Sequence, residues 1–544
     1  MTDKKDTELT ITSEIDAASQ NIDGANQEID PDSGVRRGLK TRHLSMMALA
    51  GIIGPGVLSG FGGVLPKGGP IAVLIGFGVV GLLAYSVTQS VGEMTTIYPT
   101  GGAFMTLAER FGDKALSFAI GWYYFIIWVT VLANEYNITT STLNFWTDKI
   151  PIWGWFLIIW FLFLAFQLLG VEAFGESEYW LALIKIIALT VYFLFALIYM
   201  CGGVKGTPAF GFQYWRNPGP FSNGFRGVAN VFIYCSTYYA GVESVAIAAT
   251  ETRNPSKAVP LAVRQVFWRI IFVYMGCAFF YGVTVPYNSP ELSGSSRAIK
   301  SPITIALANA GWAGGIHLVN AFILVTCLSA VNSSIYIGSR TILFMAHDGT
   351  APKILGYTNK RGVPVYAIVL TNLFGAIALL NVSEGAMDAF GYIVNISGVA
   401  TFLVWGAISF VHLRFRAAWK HNGLTKEDIP FQSILFPWNA YFGLGFSMFL
   451  AFVQGWSTLS PFSYKDFIDA YLMLPLFPIF YIVYKLVFKT KFKKLDEIDV
   501  FSGRRKDVGA YHDVEQGDGA NIEAEDDSTF GIFKTGIKKV WNKM

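Results

Sequence analysis

Ionisable side chains are scarce in this chain: Asp, Glu, Lys and Arg together make 15% of its 544 residues, against about 25% in an average soluble domain. An ordinary soluble globular domain does not fit that deficit. The little charge present is nearly balanced at +3, so no long-range field points to nucleic acid or an acidic macromolecular partner. Cysteine is equally sparse. Cys201, Cys235, Cys277 and Cys327 all fall in apolar stretches without CxxC or His-rich spacing, which argues against disulfides and metal sites and leaves them as packing residues. No phosphate loop, metal cluster or nucleophile elbow is found outside the apolar segments, so neither an enzyme nor a cofactor is expected. The polar, acidic first 43 residues carry no ordered signal-peptide regions, and the first apolar segment is expected to direct insertion.

What the sequence has in excess is apolar length. Over half the residues are hydrophobic, with 45 Phe and 15 Trp, and runs of roughly 20 apolar residues recur, each enough to cross a hydrocarbon core of about 30 Å as a helix. Their punctuation predicts an all-α polytopic membrane protein with twelve transmembrane helices, near 44–64, 70–96, 116–146, 152–170, 179–202, 227–249, 266–286, 314–344, 364–381, 387–413, 435–456 and 467–488. An even number of spans puts both tails on one side. Arg36, Arg37, Lys40 and Arg42 before the first helix, with basic clusters after the sixth, eighth, tenth and twelfth, make that side cytoplasmic by the positive-inside rule. The loop after the fourth helix runs against the trend, since Glu172, Glu176 and Glu178 make it acidic. The tails, 1–43 and 489–544, read as largely disordered from their polar composition. Phe530, Phe533, Ile537, Val540 and Trp541 recur among lysines near 530–541, the pattern of a basic amphipathic helix on an anionic leaflet or of chance periodicity in a solvated tail.

Two helices contain interruptions. Gly54-Pro55-Gly56 lies at the middle of the first, where Gly and Pro cost a helix about 1 and 3 kcal/mol each. The sixth has a weaker break at Tyr239-Ala240-Gly241, followed by an intramembrane carboxylate, Glu243. Unwound backbone at membrane depth has to line a protein cavity. Breaks at corresponding places in two five-helix halves, 44–202 and 227–413, point to an inverted-repeat carrier with its site at the midplane, the helices of 435–488 being additional. The amides of Ile53, Gly54, Gly56 and Val57 suit a carboxylate, and Tyr239, Ala240, Gly241 and Glu243 suit an ammonium. The competing reading is that the glycines only allow close helix packing.

Several motifs then carry a resemblance. Gly34-Val35-Arg36-Arg37-Gly38-Leu39-Lys40-Thr41-Arg42-His43-Leu44, Tyr98-Pro99-Thr100-Gly101-Gly102, Thr250-Glu251-Thr252-Arg253-Asn254-Pro255, Ala330-Val331-Asn332-Ser333-Ser334 and Val394-Asn395-Ile396-Ser397 resemble, in order, the fungal amino-acid permeases of the yeast amino-acid transporter family, in the amino acid–polyamine–organocation superfamily. The similarity spans about residues 34–506. Phe174-Gly175-Glu176-Ser177-Glu178-Tyr179-Trp180 is most like the broad-specificity general permeases. The resemblance implies a LeuT-type fold of five plus five helices with two more, and plasma-membrane uptake of amino acids with protons. It also implies that Lys185 stands where sodium-coupled relatives of the fold hold a sodium ion, making it and Glu243 the candidates for proton coupling; a snorkelling lysine is the bland alternative. Many members carry Thr where this chain has Pro55, which leaves carboxylate binding to the neighbouring amides.

Of the remaining polar residues, Glu135 is a candidate for the outer side of the pathway. Asn332, Ser333 and Ser334 with Asn395 and Ser397 would shape selectivity or glue helices together. Glu93 reads as a structural partner near a helix end, and the sequon at Asn381 as unused. The expected partners are amino acids, protons, the lipid bilayer and, through Lys4 and Lys5, ubiquitin ligase machinery. A non-transporting amino-acid sensor and a carrier of polyamines or other amines are the alternatives.

Overall fold

The computed structural model describes residues 34–504 apart from 52, 254, 294–300, 313, 383–386 and 460–461. The expected amphipathic helix at 530–541 and the tail lysines Lys4 and Lys5 lie outside the described residues, as does the side chain of Asn395. Among the described residues regular structure is helical, with two isolated bridges, Leu39 to Thr252 and Leu459 to Phe462.

Twelve helical segments fall at the expected places. We number them α1 (41–68), α2 (Pro70–Ile97), α3 (Lys114–Asn144), α4 (Ile152–Gln167), α5 (Val171–Met200), α6 (224–250), α7 (255–284), α8 (Gly315–His347), α9 (365–382), α10 (Met387–His421), α11 (Trp438–Val453) and α12 (464–488). Six of them, α2, α3, α5, α7, α8 and α10, are long and apolar enough to cross a membrane, and α12 is a seventh if its two pieces, bent by 44°, form one span. Helices α4, α9 and α11 are shorter and apolar; α1 and α6 are interrupted. The chain is therefore an all-α polytopic membrane protein.

Reading apolar runs clips helices that carry charge on their ends. Thus α5 starts at Val171 rather than 179, α7 at Pro255 rather than 266, and α10 continues to His421 rather than 413. In α5 the acidic residues taken for a loop occupy the first helical turns, where the positive end of the helix dipole favours them. Three short helices, Phe104–Phe111, Gln213–Arg216 and Pro302–Asn309, lie outside the expected ones. Helix α5 shows why its polar residues point inward. Trp180, Ile184, Ile187, Val191, Leu194 and Ile198 repeat at three-to-four spacing and are all exposed, a stripe for lipid, whereas Glu178, Ala182, Lys185, Leu189 and Ala196 are buried on the opposite face.

One end of the bundle is closed by chain segments as well as helices. Leu39 pairs with the end of α6, its amide donating to the Glu251 carbonyl (2.9 Å) and its carbonyl accepting from the Arg253 amide (3.0 Å). At the same end Glu251 is ion-paired to Arg340 of α8 (2.8 Å), both nearly fully buried, and Tyr336 Oη donates to the same carboxylate (3.1 Å). Glu93 of α2 meets His412 (3.0 Å) and Arg416 of α10 and accepts from the Ser433 amide (2.6 Å), the structural pairing expected of it. The segment after α12 lies across these ends: Tyr98 Oη donates to the Val500 carbonyl (2.6 Å), the Lys493 amide donates to Gly112, and Ile498 and Val500 are buried. Within that segment the Ser502 hydroxyl and the Ser502 and Phe501 amides hold the Asp499 carboxyl down at about 2, so it stays charged at any pH a cell meets.

Candidate substrate and coupling site

The first half of α1 runs through a π-helical stretch, Met47–Gly51, and helical geometry resumes only at Gly56. Pro55 has no amide to continue the ladder, so the chain opens where Gly54-Pro55-Gly56 predicts. The glycines beyond it face an aromatic ring: a Cβ on Gly56 would lie 2.4 Å from Tyr238 Cε1, and one on Gly60 would be as close to the Tyr238 hydroxyl. Gly54 is different. Its nearest neighbour would be Glu135 Oε1, at 3.5 Å. Close packing therefore accounts for Gly56 and Gly60, and not for Gly54.

Helix α6 breaks after Tyr239. Gly241 has φ +96°, a left-handed conformation glycine adopts without a side-chain clash, and a 3-10 turn over Val242–Ser244 leads into the second half. The Tyr238 carbonyl, one residue before the end of that half, accepts from Tyr274 Oη of α7 (2.6 Å), and Arg269 in turn donates to that hydroxyl (2.6 Å).

Between the two breaks lies a cavity of about 320 Å³. Gly54, Gly56 and Val57 line it from α1 and Ala240 from α6; Glu135 comes from α3, Ser333 from α8 and Ser397 from α10. These were among the expected site residues, and the fold brings them together. Trp128, Asn134, Tyr234, Tyr238 and Ser334 also line it. A volume of this order holds a small organic molecule.

Other expected residues lie behind the wall. Ile53 is buried. Tyr239 turns to α2, donating to the Phe77 carbonyl (2.8 Å), and Gly241 forms the turn itself. Glu243 accepts from Trp405 Nε1 of α10 (2.9 Å), which ties the second half of α6 to α10. Asn332 also faces away, because it accepts from Gln167 Nε2 of α4 (2.9 Å) and donates to Glu178 of α5 (2.8 Å). Asn381 donates to Asn137 (2.7 Å), so the sequon's amide is engaged within the protein.

Lys185 is 0% exposed, which removes the snorkelling alternative. Its Nζ donates to the Ala50 and Gly51 carbonyls of α1 (3.2 and 2.9 Å) and to Ser329 Oγ of α8 (2.7 Å). The Gly51 carbonyl belongs to the last helical residue before the break, and the Ala50 carbonyl also accepts from the Ile53 amide (3.2 Å), so the ammonium clasps α1 to α8 at the break itself.

A family model described as amino acid permease matches residues 43–497. The chain belongs to the amino acid permease family. A general amino acid permease of Saccharomyces cerevisiae is 51% identical over 511 residues, 94% of this chain and 92% of that protein. An uncharacterised amino-acid permease of Schizosaccharomyces pombe is 44% identical over 541 residues, 97% of each chain, and a lysine-specific permease of S. cerevisiae is 37% identical over 87% of this chain and 80% of its own length.

Three features of this permease escaped the sequence reading. Glu178 was counted with the acidic loop, yet it is fully buried beside Lys185, and the seven-residue spacing that sets both on one face of α5 was there to be read. Arg269 is a fully buried cation in α7 with only its place between Phe267-Trp268 and Ile270-Ile271 to mark it. The Glu251 to Arg340 pair joins positions 89 apart, and nothing local signals it.

Proposed function

We propose that this permease takes up amino acids across the fungal plasma membrane together with protons, by alternating access, with both termini in the cytoplasm and with broad specificity. The observation that carries the reading is the cavity at the junction of two broken helices, with the Lys185 ammonium seated on the carbonyls of one break. The amides of Gly54 and Gly56 offer a carboxylate its donors; that of Val57 already leans on the Gly54 carbonyl at 3.4 Å. Tyr238, Ala240 and Ser397 face the remainder of the molecule, and Glu135 gives the wall a carboxylate near an amino group. The general permease of S. cerevisiae, so named, supports breadth of substrate. The two halves 44–202 and 227–413 act as inverted repeats, one rocking against the other about this site.

Protonated, Lys185 holds α1 to α8; without its proton it no longer bonds the carbonyls as a cation, and the inward-opening arrangement gains. One proton moving down about 100 mV supplies roughly 2.3 kcal/mol, and a tenfold proton gradient about 1.4 more, enough to concentrate a zwitterion several hundredfold. Uptake of a panel of radiolabelled amino acids in cells stripped of their own permeases tests the reading, with and without a protonophore at acidic external pH. Uptake of several amino acids that collapses with the protonophore is expected. Binding without uptake by protein at the cell surface would make it a sensor, and uptake of amines lacking a carboxylate would make it a polyamine or amine carrier.

A further inference from the structure

Lys185 does not stand alone. Ser329 Oγ, which accepts from Lys185 Nζ (2.7 Å), is itself 2.7 Å from Glu178 Oε2, and its hydroxyl hydrogen points to that carboxylate or to the Gly51 carbonyl at 3.2 Å. Glu178 is 0% exposed and takes its other bond from Asn332 Nδ2. A buried carboxylate and a buried ammonium are thus joined by one hydroxyl, and the Asn332 that donates to the carboxylate is followed in α8 by Ser333, which lines the cavity. The other charges acting on Lys185 come from different helices: Arg269 of α7 and Glu135 of α3, with the Cys327 thiol on α8.

We propose that Glu178 is the group through which the coupling proton reaches Lys185, captured from the cavity side and relayed by Ser329. This rests on the proposed proton coupling and adds a carrier residue to it. The step balances without a co-reactant. Protonated Glu178 gives its proton to Ser329 Oγ as Ser329 gives its own to the neutral Lys185 amine; the products are a carboxylate, an unchanged serine and an ammonium. The serine hydroxyl must therefore turn over once per cycle, which explains why it sits within reach of two acceptors. As a carboxylate, Glu178 then holds the charge on Lys185, because an opposite charge nearby favours the ionised form.

The pH dependence of initial uptake rates tests this in wild type, Glu178→Gln, Ser329→Ala and Ser329→Thr, each corrected for protein at the cell surface. With Gln the lysine loses the negative charge that helps it keep its proton, so the pH of half-maximal uptake should move to the acid side by about one unit or more. Ser329→Ala should lower the rate at least tenfold, and Ser329→Thr, which keeps the hydroxyl, should restore most of it. A Glu178→Gln profile reduced equally at every pH with its midpoint unmoved overturns the proposal, as does a Ser329→Ala variant transporting like wild type. If Glu178→Gln does not reach the surface, the serine pair decides alone, since neither variant strands a buried charge. Wild-type uptake indifferent to the protonophore would instead sink the coupling reading itself, and that measurement comes first.

Discussion

At the scale of single residues, position behind or in front of the cavity wall decides what a substitution does. Glu243 reaches Trp405 and not the cavity, so Glu243→Gln should keep KM within about threefold while lowering the maximal rate, the pattern of a group acting on the transporter's motion and not on bound substrate. A rise in KM of more than about tenfold would place its carboxylate on the substrate after all. Gly56 has no room for a methyl group against Tyr238. Gly56→Ala should cost about 1–3 kcal/mol in thermal unfolding of the detergent-solubilised protein, as overpacking does, and Tyr238→Leu in the same chain should recover most of that loss. If Gly56→Ala alone is as stable as wild type, the ring moves aside freely and the contact restrains nothing. The residues legible from sequence were those with a local signature: Gly54 and Pro55 through helix propensity, Lys185 through its apolar surroundings. Glu178 carries a signature too, in its spacing from Lys185, but an apolar run that begins at 179 misses the first two turns of the helix, which starts at Val171.

At the scale of elements, the helices were legible because lipid imposes a length and a polarity on each, and their ends were not, because a helix leaving the membrane carries charge without stopping. Helices α5, α7 and α10 all overrun the apolar stretch that announced them. The breaks in α1 and α6 follow from backbone chemistry, whereas the bonds that hold the broken halves are made between distant elements. The Glu251 to Arg340 pair joins the end of the second half of α6 to α8 with both partners nearly fully buried. Removing one partner of such a pair costs about 3–5 kcal/mol, because the other charge is left buried. Glu251→Gln should therefore lower thermal stability strongly, and the double variant Glu251→Gln, Arg340→Met should regain most of it. Equal losses in the single and double variants would show the pair to be uncoupled.

At the scale of the molecule, the cavity and the closure are separate features. The cavity lies between the two breaks and is walled by α1, α3, α6, α8 and α10, while Leu39, the Glu251 to Arg340 pair and the segment 490–504 close one end of the bundle. On the proposed reading, with both termini cytoplasmic, substrate enters from the face opposite these segments. In a chain carrying Cys201→Ser, because Cys201 is the exposed one of the four native cysteines, Asn134→Cys should react with an impermeant thiol reagent added outside intact cells, and amino acid should slow the reaction. Labelling only after the cells are permeabilised would place the cavity on the opposite face.

The clasp between Leu39 and Thr252 also sets a schedule. Its two strands are separated by 213 residues, and at roughly 5–20 residues per second a ribosome takes about ten to forty seconds to travel between them. Within that interval residues 34–40 can meet α5, through Arg36 and Glu172 (3.7 Å), but not the end of α6. The order of synthesis thus makes the Leu39 to Thr252 bridge wait for the sixth helix, so the contact that closes this end is made after the five helices before it are complete.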